Sequence, residues 1–597
     1  MLNNSDIFLH SSHKVYLILI IIALSFASQI SLRYDFGLSN KHFYDIIYVA
    51  PDGLIIVTIW YIMLIITVLL TLEPRRKCTD NISIPVLLAL LSTIPYLMEV
   101  IANIPSIWAR DVYLHGRIRF LDSSGKLEEL AYEYPKQYPG FFILLYILYA
   151  ILGHLDIRYV NLIILYPIMM LVLPLILFIL YRTFLKNSYM SAVLGIMITI
   201  SLLMNNRSEL TFQHANTRFF SLILLVLSML LLSLVLKRWS LSSVALFVLS
   251  TLTLNISHVL FPQVVIIALL ILSIISIVFP VLCNIPKHAL LALTCITASV
   301  FILWTFYNYY TFSVIKPAMI SFFDYYYRIL GMELIVSSLT IRESIPWFGT
   351  VLRNIFKFSL AFLAILAGIL IIKHVFWRKK VKLRVDTPLV MVWFSYIVAI
   401  IFVFGLTIFS ISLGNSINRG LIALIPLVVP CAIAQLLEFY YLRKVNRHLA
   451  RAVVFASITI LCLNQFMLLH EEPIIVSNTQ PLDYACQFLT RYNTAHTIVT
   501  FSPFMIYYGY FAPKPPSHIY TGDLGSIEAI HMIGEFYIRN QGVKVLDFRT
   551  IVYWSLRYEF YITGLSEWIE YVLAPLRASD SLVYSNGNYT WIFYGFS

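Results

Sequence analysis

Thirteen stretches of this chain are apolar over the roughly 17–25 residues that a bilayer-crossing helix needs. They begin near Val15, Leu54, Ile82, Val160, Tyr189, Phe219, Leu241, Pro262, Ala289, Val351, Pro388, Gly420 and Ala452. Hydrocarbon gives a backbone amide or carbonyl no partner, so each crossing has to satisfy its own hydrogen bonds as a helix, or join a closed barrel. Continuous apolar runs of this length, without alternation, select the helix. The chain is therefore expected to be an all-α polytopic membrane protein of about 13 transmembrane helices over residues 1–469. The first run, Val15–Leu32, reads as a retained anchor, with a signal peptide cleaved after Ser25-Phe26-Ala27 as the alternative.

Composition supports this. Charged residues make up 12% of the 597 residues and hydrophobic ones 60%, against about 25% charged in soluble proteins. The net charge of +12 belongs to the membrane part: residues 470–597 hold seven Lys/Arg and eleven Asp/Glu. The basic excess sits in short loops between spans, which reports topology and excludes a nucleic-acid partner. The six cysteines show no metal-ligand spacing and no disulfide framework.

Gly140–Gly153 is apolar and aromatic but short for a span. Reading it as a re-entrant or interfacial helix places Arg75-Arg76-Lys77, Arg182, Lys237-Arg238, Lys287, the run Trp377–Arg384 and Arg443-Lys444 on one side, the cytoplasmic one. The N-terminus is then cytoplasmic. The outer face of the cell membrane receives residues 105–153, 205–218, His258, 313–350, 411–419 and everything after 469. Residues 470–597 read as a small extracytoplasmic α/β domain, with helices at 483–492 and 568–573, strands at 497–501 and 543–548, and a terminal hairpin around Asn586-Gly587.

The first large outer loop, 105–153, is the longest polar interruption among the spans. On a helix, Asp111 and His115 share a face. Such a pair is a general base, half of a divalent-metal site, or a solvated interfacial ion pair. Loop 205–218 adds Glu209, His214 and Arg218, a second acid with a cation that suits phosphate, or else a polar loop with a snorkelling arginine. Lys136 and Tyr138 stand before Pro139-Gly140, at the mouth of the short helix, where amide donors and dipole favour an anion. Arg419 enters a span from the outer interface; an arginine in hydrocarbon costs about 2.5–3.5 kcal/mol at the centre unless paired or snorkelling. His258, between two spans, reads as a site residue or as a turn histidine.

The order Asp111, His115, Gly125, Tyr138-Pro139-Gly140 and then a short aromatic helix ending in Gly153 resembles the start of the C-type glycosyltransferase superfamily. Those polytopic enzymes use polyprenyl-phosphate-linked sugars. The resemblance implies transfer of a sugar from such a donor to a glycan, lipid or protein acceptor on the outer face, by an inverting displacement. It implies catalytic roles for Asp111, His115 and Glu209 and substrate binding by Lys136, Tyr138, His214, Arg218, His258 and Arg419. It leaves open whether a divalent metal is needed; no cofactor is otherwise implied. No DxD or WWDxG-like motif is present, which argues against an oligosaccharyltransferase. The alternatives are a transporter or lipid flippase, whose charges lie near the midplane and whose halves often repeat, and a non-catalytic membrane protein of the same fold.

Overall fold

The computed structural model describes residues 138–185, 216–278, 287–307, 362–372, 387–406 and 416–443 nearly without gaps. It also describes isolated residues within 118–125 and 195–203, Phe488, Leu489 and Arg491, and five strands between 497 and 595. The helices are α1 (Gly140–Ile151), α2 (Tyr166–Phe184), α3 (Thr217–Lys237), α4 (Leu241–Asn255), α5 (Phe261–Val278) and α6 (Lys287–Tyr307). After them come α7 (Phe362–Ile372), α8 (Thr387–Leu406) and α9 (Ser416–Arg443). The expected runs beginning near Val15, Leu54, Ile82 and Ala452 lie outside the described residues.

Among the described residues four helical stretches, Tyr166–Phe184, Thr217–Lys237, Phe261–Val278 and His288–Phe306, are long and apolar enough to cross a membrane. The helices are apolar outside as well as inside: Ile151, Leu241, Leu303 and Phe306 are all exposed. Such a surface would drive association in water and is at home in lipid. Several hydroxyls buried in the bundle find partners one turn back. Ser233 donates to the Met229 carbonyl, Thr297 to Leu293 and Ser395 to Val392, so none of these brings an unmet polar group into the apolar interior.

Helix α1 has 12 residues. At 1.5 Å per residue it spans about 18 Å, too short to cross a ~30 Å hydrocarbon core alone. The run that follows departs from the expected α-helix. Val160–Leu165 is a π-helical turn, and α2 starts only at Tyr166. Pro167 supplies the reason: it has no amide for the carbonyl four residues back, and widening the turn lets a helix absorb that loss.

The bundle is built around α3, α5 and α8. Helix α5 packs along α8, α3 along α4, and α8 along α9. Ser228 of α3 lies 3.3 Å from the Tyr396 hydroxyl of α8. Ser273 of α5 meets Thr294 of α6 at 3.1 Å. Phe184, at the end of α2, stacks on Trp393, near the start of α8, with ring centroids 4.4 Å apart.

Helix α9 carries Pro426 and Pro430 in its interior, and one contact explains how it tolerates the second. Pro430 cannot donate to the carbonyl of Pro426, four residues earlier. The Tyr181 hydroxyl of α2 does so instead, at 2.9 Å, and also lies 2.7 Å from Thr199 Oγ1. Tyr181→Phe should therefore strand a buried carbonyl and destabilise the protein by about 1–3 kcal/mol. A thermal melt of the detergent-solubilised chain reads this, and an unchanged midpoint would remove the hydroxyl from that role.

The C-terminal strands, β1 (Thr497–Phe501), β2 (His518–Gly522), β3 (Val543–Asp547), β4 (Asp580–Ser585) and β5 (Thr590–Gly595), form one sheet in the order β2-β1-β3-β5-β4. Both neighbours of β1 are parallel to it, while β5 runs antiparallel to β3 and β4. Parallel neighbours need crossovers of a dozen residues or more, and the stretches 502–517 and 523–542 are that long. The expected strands near 497 and 543 and the terminal hairpin are present; β2 was not expected. Of the two helices expected here, Phe488, Leu489 and Arg491 are helical, and the remainder lies outside the described residues.

Candidate functional site

Helix α1 begins without a side-chain cap. Its first amide is satisfied from elsewhere: Gly140 N donates to the Ile256 carbonyl, in the turn between α4 and α5, at 2.9 Å. The approach depends on the missing side chain, because a Cβ on Gly140 would lie 2.3 Å from Ser257 Oγ and 3.2 Å from the Ile256 oxygen. Ser257 has no room to yield, since it is buried and its hydroxyl donates to the Thr253 carbonyl.

His258 is the next residue of that turn. It is buried, its Nδ1 accepts the Leu260 amide at 3.1 Å, and its ring lies 4.6 Å from Phe261. Accepting at Nδ1 leaves the proton of the neutral ring on Nε2. The histidine thus does the work of a turn-capping residue, whatever else it binds.

From this turn the contacts run through the remaining helix ends. Phe261, first in α5, meets Phe404 near the end of α8, with centroids 5.9 Å apart. Gly420, in the first turns of α9, is pressed against the same Phe404; a Cβ there would lie 2.6 Å from the Phe404 Cβ. On the other side Phe141 of α1 meets Phe220 of α3 at 6.1 Å, and Tyr166, first in α2, meets Phe219 at 6.1 Å. Asn216 caps α3 by accepting the Phe219 amide at 2.8 Å. The starts of α1, α2, α3, α5 and α9 and the ends of α4 and α8 therefore gather at one end of the bundle.

Four of the residues singled out in the sequence fall at these ends. Tyr138 is buried immediately before α1, half-buried Arg218 is in the first turn of α3, His258 is in the turn before α5, and the backbone of Arg419 is in the first turn of α9. Asp111, His115, Lys136, Glu209 and His214 lie outside the described residues. Among the described residues no cluster of three or more His, Cys, Asp or Glu could hold a metal.

The expectation that the mouth of α1 offers its amides to an anion needs one correction. The first amide, that of Gly140, is taken by the Ile256 carbonyl. Sequence reasoning also missed two sets of residues. The Ile256-Ser257 turn that receives α1 carries no local signal, because its role lies in a contact with a distant segment. Tyr149 and His154, which bind Asp122, had one visible sign: a Gly-His pair directly after a short helix.

No family profile matches the chain, and no curated protein matches it in sequence. Its fold does have counterparts. The oligosaccharyltransferase of Archaeoglobus fulgidus, solved in complex with zinc and sulfate, is 12% identical with a TM-score of 0.50, over 86% of this chain and 73% of that one. The archaeal oligosaccharyltransferase AglB from the same organism, with an inhibitory peptide and a dolichol-phosphate, also gives 12% and 0.50, over 86% and 74%. ArnT from Cupriavidus metallidurans, bound to undecaprenyl phosphate, is 10% identical over 87% of this chain and 98% of that one, with a TM-score of 0.45. The chain shares the polytopic membrane fold of the archaeal oligosaccharyltransferase, and the resemblance to C-type glycosyltransferases read from the sequence is a resemblance of fold.

Proposed function

We propose that this protein is a membrane glycosyltransferase that moves a sugar from a polyprenyl-phosphate donor to an acceptor on the outer face of the membrane. The observation that carries the reading is the fold shared with the archaeal oligosaccharyltransferase over 86% of the chain. The gathering of Tyr138, Arg218, His258 and Arg419 at one end of the bundle supports it. With the basic loops cytoplasmic, that end is the outer one, and residues 470–597 lie on the same side.

The reaction is an inverting displacement. The acceptor oxygen attacks the anomeric carbon, the bond from that carbon to the phosphate oxygen breaks, and the lipid phosphate leaves with the electron pair. Asp111, four residues before His115 in the sequence, is assigned the acceptor proton. Charge builds up on the leaving phosphate, and Lys136, Arg218 and Arg419 are the cations assigned to it. Fixed charges of this kind are often the largest single catalytic term. His214, His258 and Tyr138 are assigned to holding the donor head.

Asp111, His115 and Glu209 are the oxygen and imidazole donors that would be assigned to a divalent cation, were one required. Such an ion would supply further positive charge beside the phosphate. The acceptor does not follow from the fold, since fold and acceptor vary independently; the missing DxD motif still argues against a peptide acceptor of the oligosaccharyltransferase kind.

Purified full-length protein in proteoliposomes carrying polyprenyl-phosphate-linked sugars tests the reading. The expected result is release of free polyprenyl phosphate that requires an acceptor. Counterflow of a labelled solute or lipid without any transfer would replace the transferase by a transporter or flippase.

A further inference from the structure

Helix α1 ends in a Schellman motif. His154 N donates to the Tyr149 carbonyl at 3.1 Å and Gly153 N to the Ala150 carbonyl at 3.2 Å, with Gly153 left-handed at φ 69°. The next residue, His154, is left-handed too, at φ 58°, and is the one non-glycine in that region among the described residues. A side chain there crowds its own backbone. A residue held in such a conformation points to something its side chain does.

The left-handed backbone folds the imidazole back over the end of α1, edge-on to Tyr149 with centroids 4.9 Å apart. His154 Nδ1 lies 3.3 Å from Asp122 Oδ1, and the Tyr149 hydroxyl donates to Asp122 Oδ2 over 3.4 Å. Both oxygens of one carboxylate are thus engaged from α1. Asp122 belongs to a helical turn seated in the core by Ile118 and Leu121 and closed where Gly125, left-handed at φ 66°, donates its amide to the Leu121 carbonyl at 2.8 Å. Asp122 and His154 remain 30% and 53% exposed, and polar contacts so open to solvent add little to stability.

We propose that Asp122, Tyr149 and His154 form a clamp that fixes the turn at Asp122 to the end of α1, within the loop that on the proposed reading also carries Asp111 and His115. The proposal rests on the transferase reading for its catalytic consequence. All three are positioning residues. The clamp joins the loop to α1, whose start is hydrogen-bonded to the α4–α5 turn, so loop, α1 and turn form a connected series from Asp122 to His258.

Two substitutions that both suit a left-handed backbone test it in the full chain. His154→Gly removes the ring, whereas His154→Asn keeps an amide donor near the position of Nδ1. The glycine variant should lose about ten- to a hundredfold in kcat, as a misplaced reacting group does. Its KM for the lipid donor and its melting temperature should stay at wild-type values. Hydrogen exchange of the Gly125 amide should speed up in the same variant, and asparagine should restore both kcat and protection. Unchanged kcat and exchange in both His154→Gly and Asp122→Asn would overturn the clamp. So would a joint fall of kcat and melting temperature that asparagine does not rescue. If wild-type protein transfers no sugar at all, the transferase reading fails instead, and exchange at Gly125 then decides: protection lost with glycine and kept with asparagine sustains the clamp, and equal exchange in the two variants overturns it.

Discussion

Asp111→Asn should abolish sugar transfer, with a loss of about 10²–10⁴-fold, the range that a positioned general base contributes. Asparagine has nearly the shape of aspartate but neither its charge nor an oxygen basic enough to take the acceptor proton. Membrane yield, melting temperature in detergent and binding of undecaprenyl phosphate should stay close to wild type, because the residue acts on the acceptor. The useful contrast is Asp122→Asn, on the same loop, which should lower the rate only as far as a displaced loop does. Transfer at the wild-type rate by Asp111→Asn would remove Asp111 from the mechanism. Loss of folding in that variant would make it a structural residue.

The second large effect is expected at Gly140. Even Gly140→Ala puts a methyl carbon 2.3 Å from Ser257 Oγ, a separation at which α1 or the turn has to move. Overpacking of this sort costs about 1–3 kcal/mol. Moving the helix also breaks the Gly140–Ile256 hydrogen bond, about 0.5–1.5 kcal/mol more. Melting temperature and transfer should therefore fall together, unlike the Asp111 result. Adding Ser257→Ala removes the nearest obstructing atom and should restore part of both, a non-additivity that a double-mutant cycle measures. Full additivity would mean that the two residues do not meet as described.

The helices were legible because a bilayer demands long apolar runs and leaves little else to choose. Expected starts at Phe219, Leu241, Pro262, Ala289, Pro388 and Gly420 fall within four residues of α3, α4, α5, α6, α8 and α9. The strand β2, His-Ile-Tyr-Thr-Gly, was not legible. Five residues with a terminal glycine, next to a proline-rich loop, give no alternation long enough to read. Contacts between segments distant in the chain were also hidden. Nothing near Tyr181 signals that it will complete a proline-interrupted helix 245 residues away, and nothing near Gly140 signals Ile256. For the site, residue types and loop assignments pointed to Tyr138, Arg218, His258 and Arg419, and packing then put their helix ends together. The acids were picked by chemistry alone, and Asp111, His115 and Glu209 still rest on that and on the resemblance.

The hydrogen bond that receives α1 also imposes an order on biosynthesis. Gly140 leaves the ribosome more than a hundred residues before Ile256, and at about 5–20 residues per second the wait is on the order of 5–25 s. During that interval a short apolar helix has neither the length to cross the bilayer nor the turn that will hold it. A nascent chain that stops before the α4–α5 turn would hold this segment by its contacts with Asp122 and Phe220 but leave the Gly140 amide without the Ile256 carbonyl. The turn therefore also marks the point in synthesis after which the start of α1 can be fixed to the bundle.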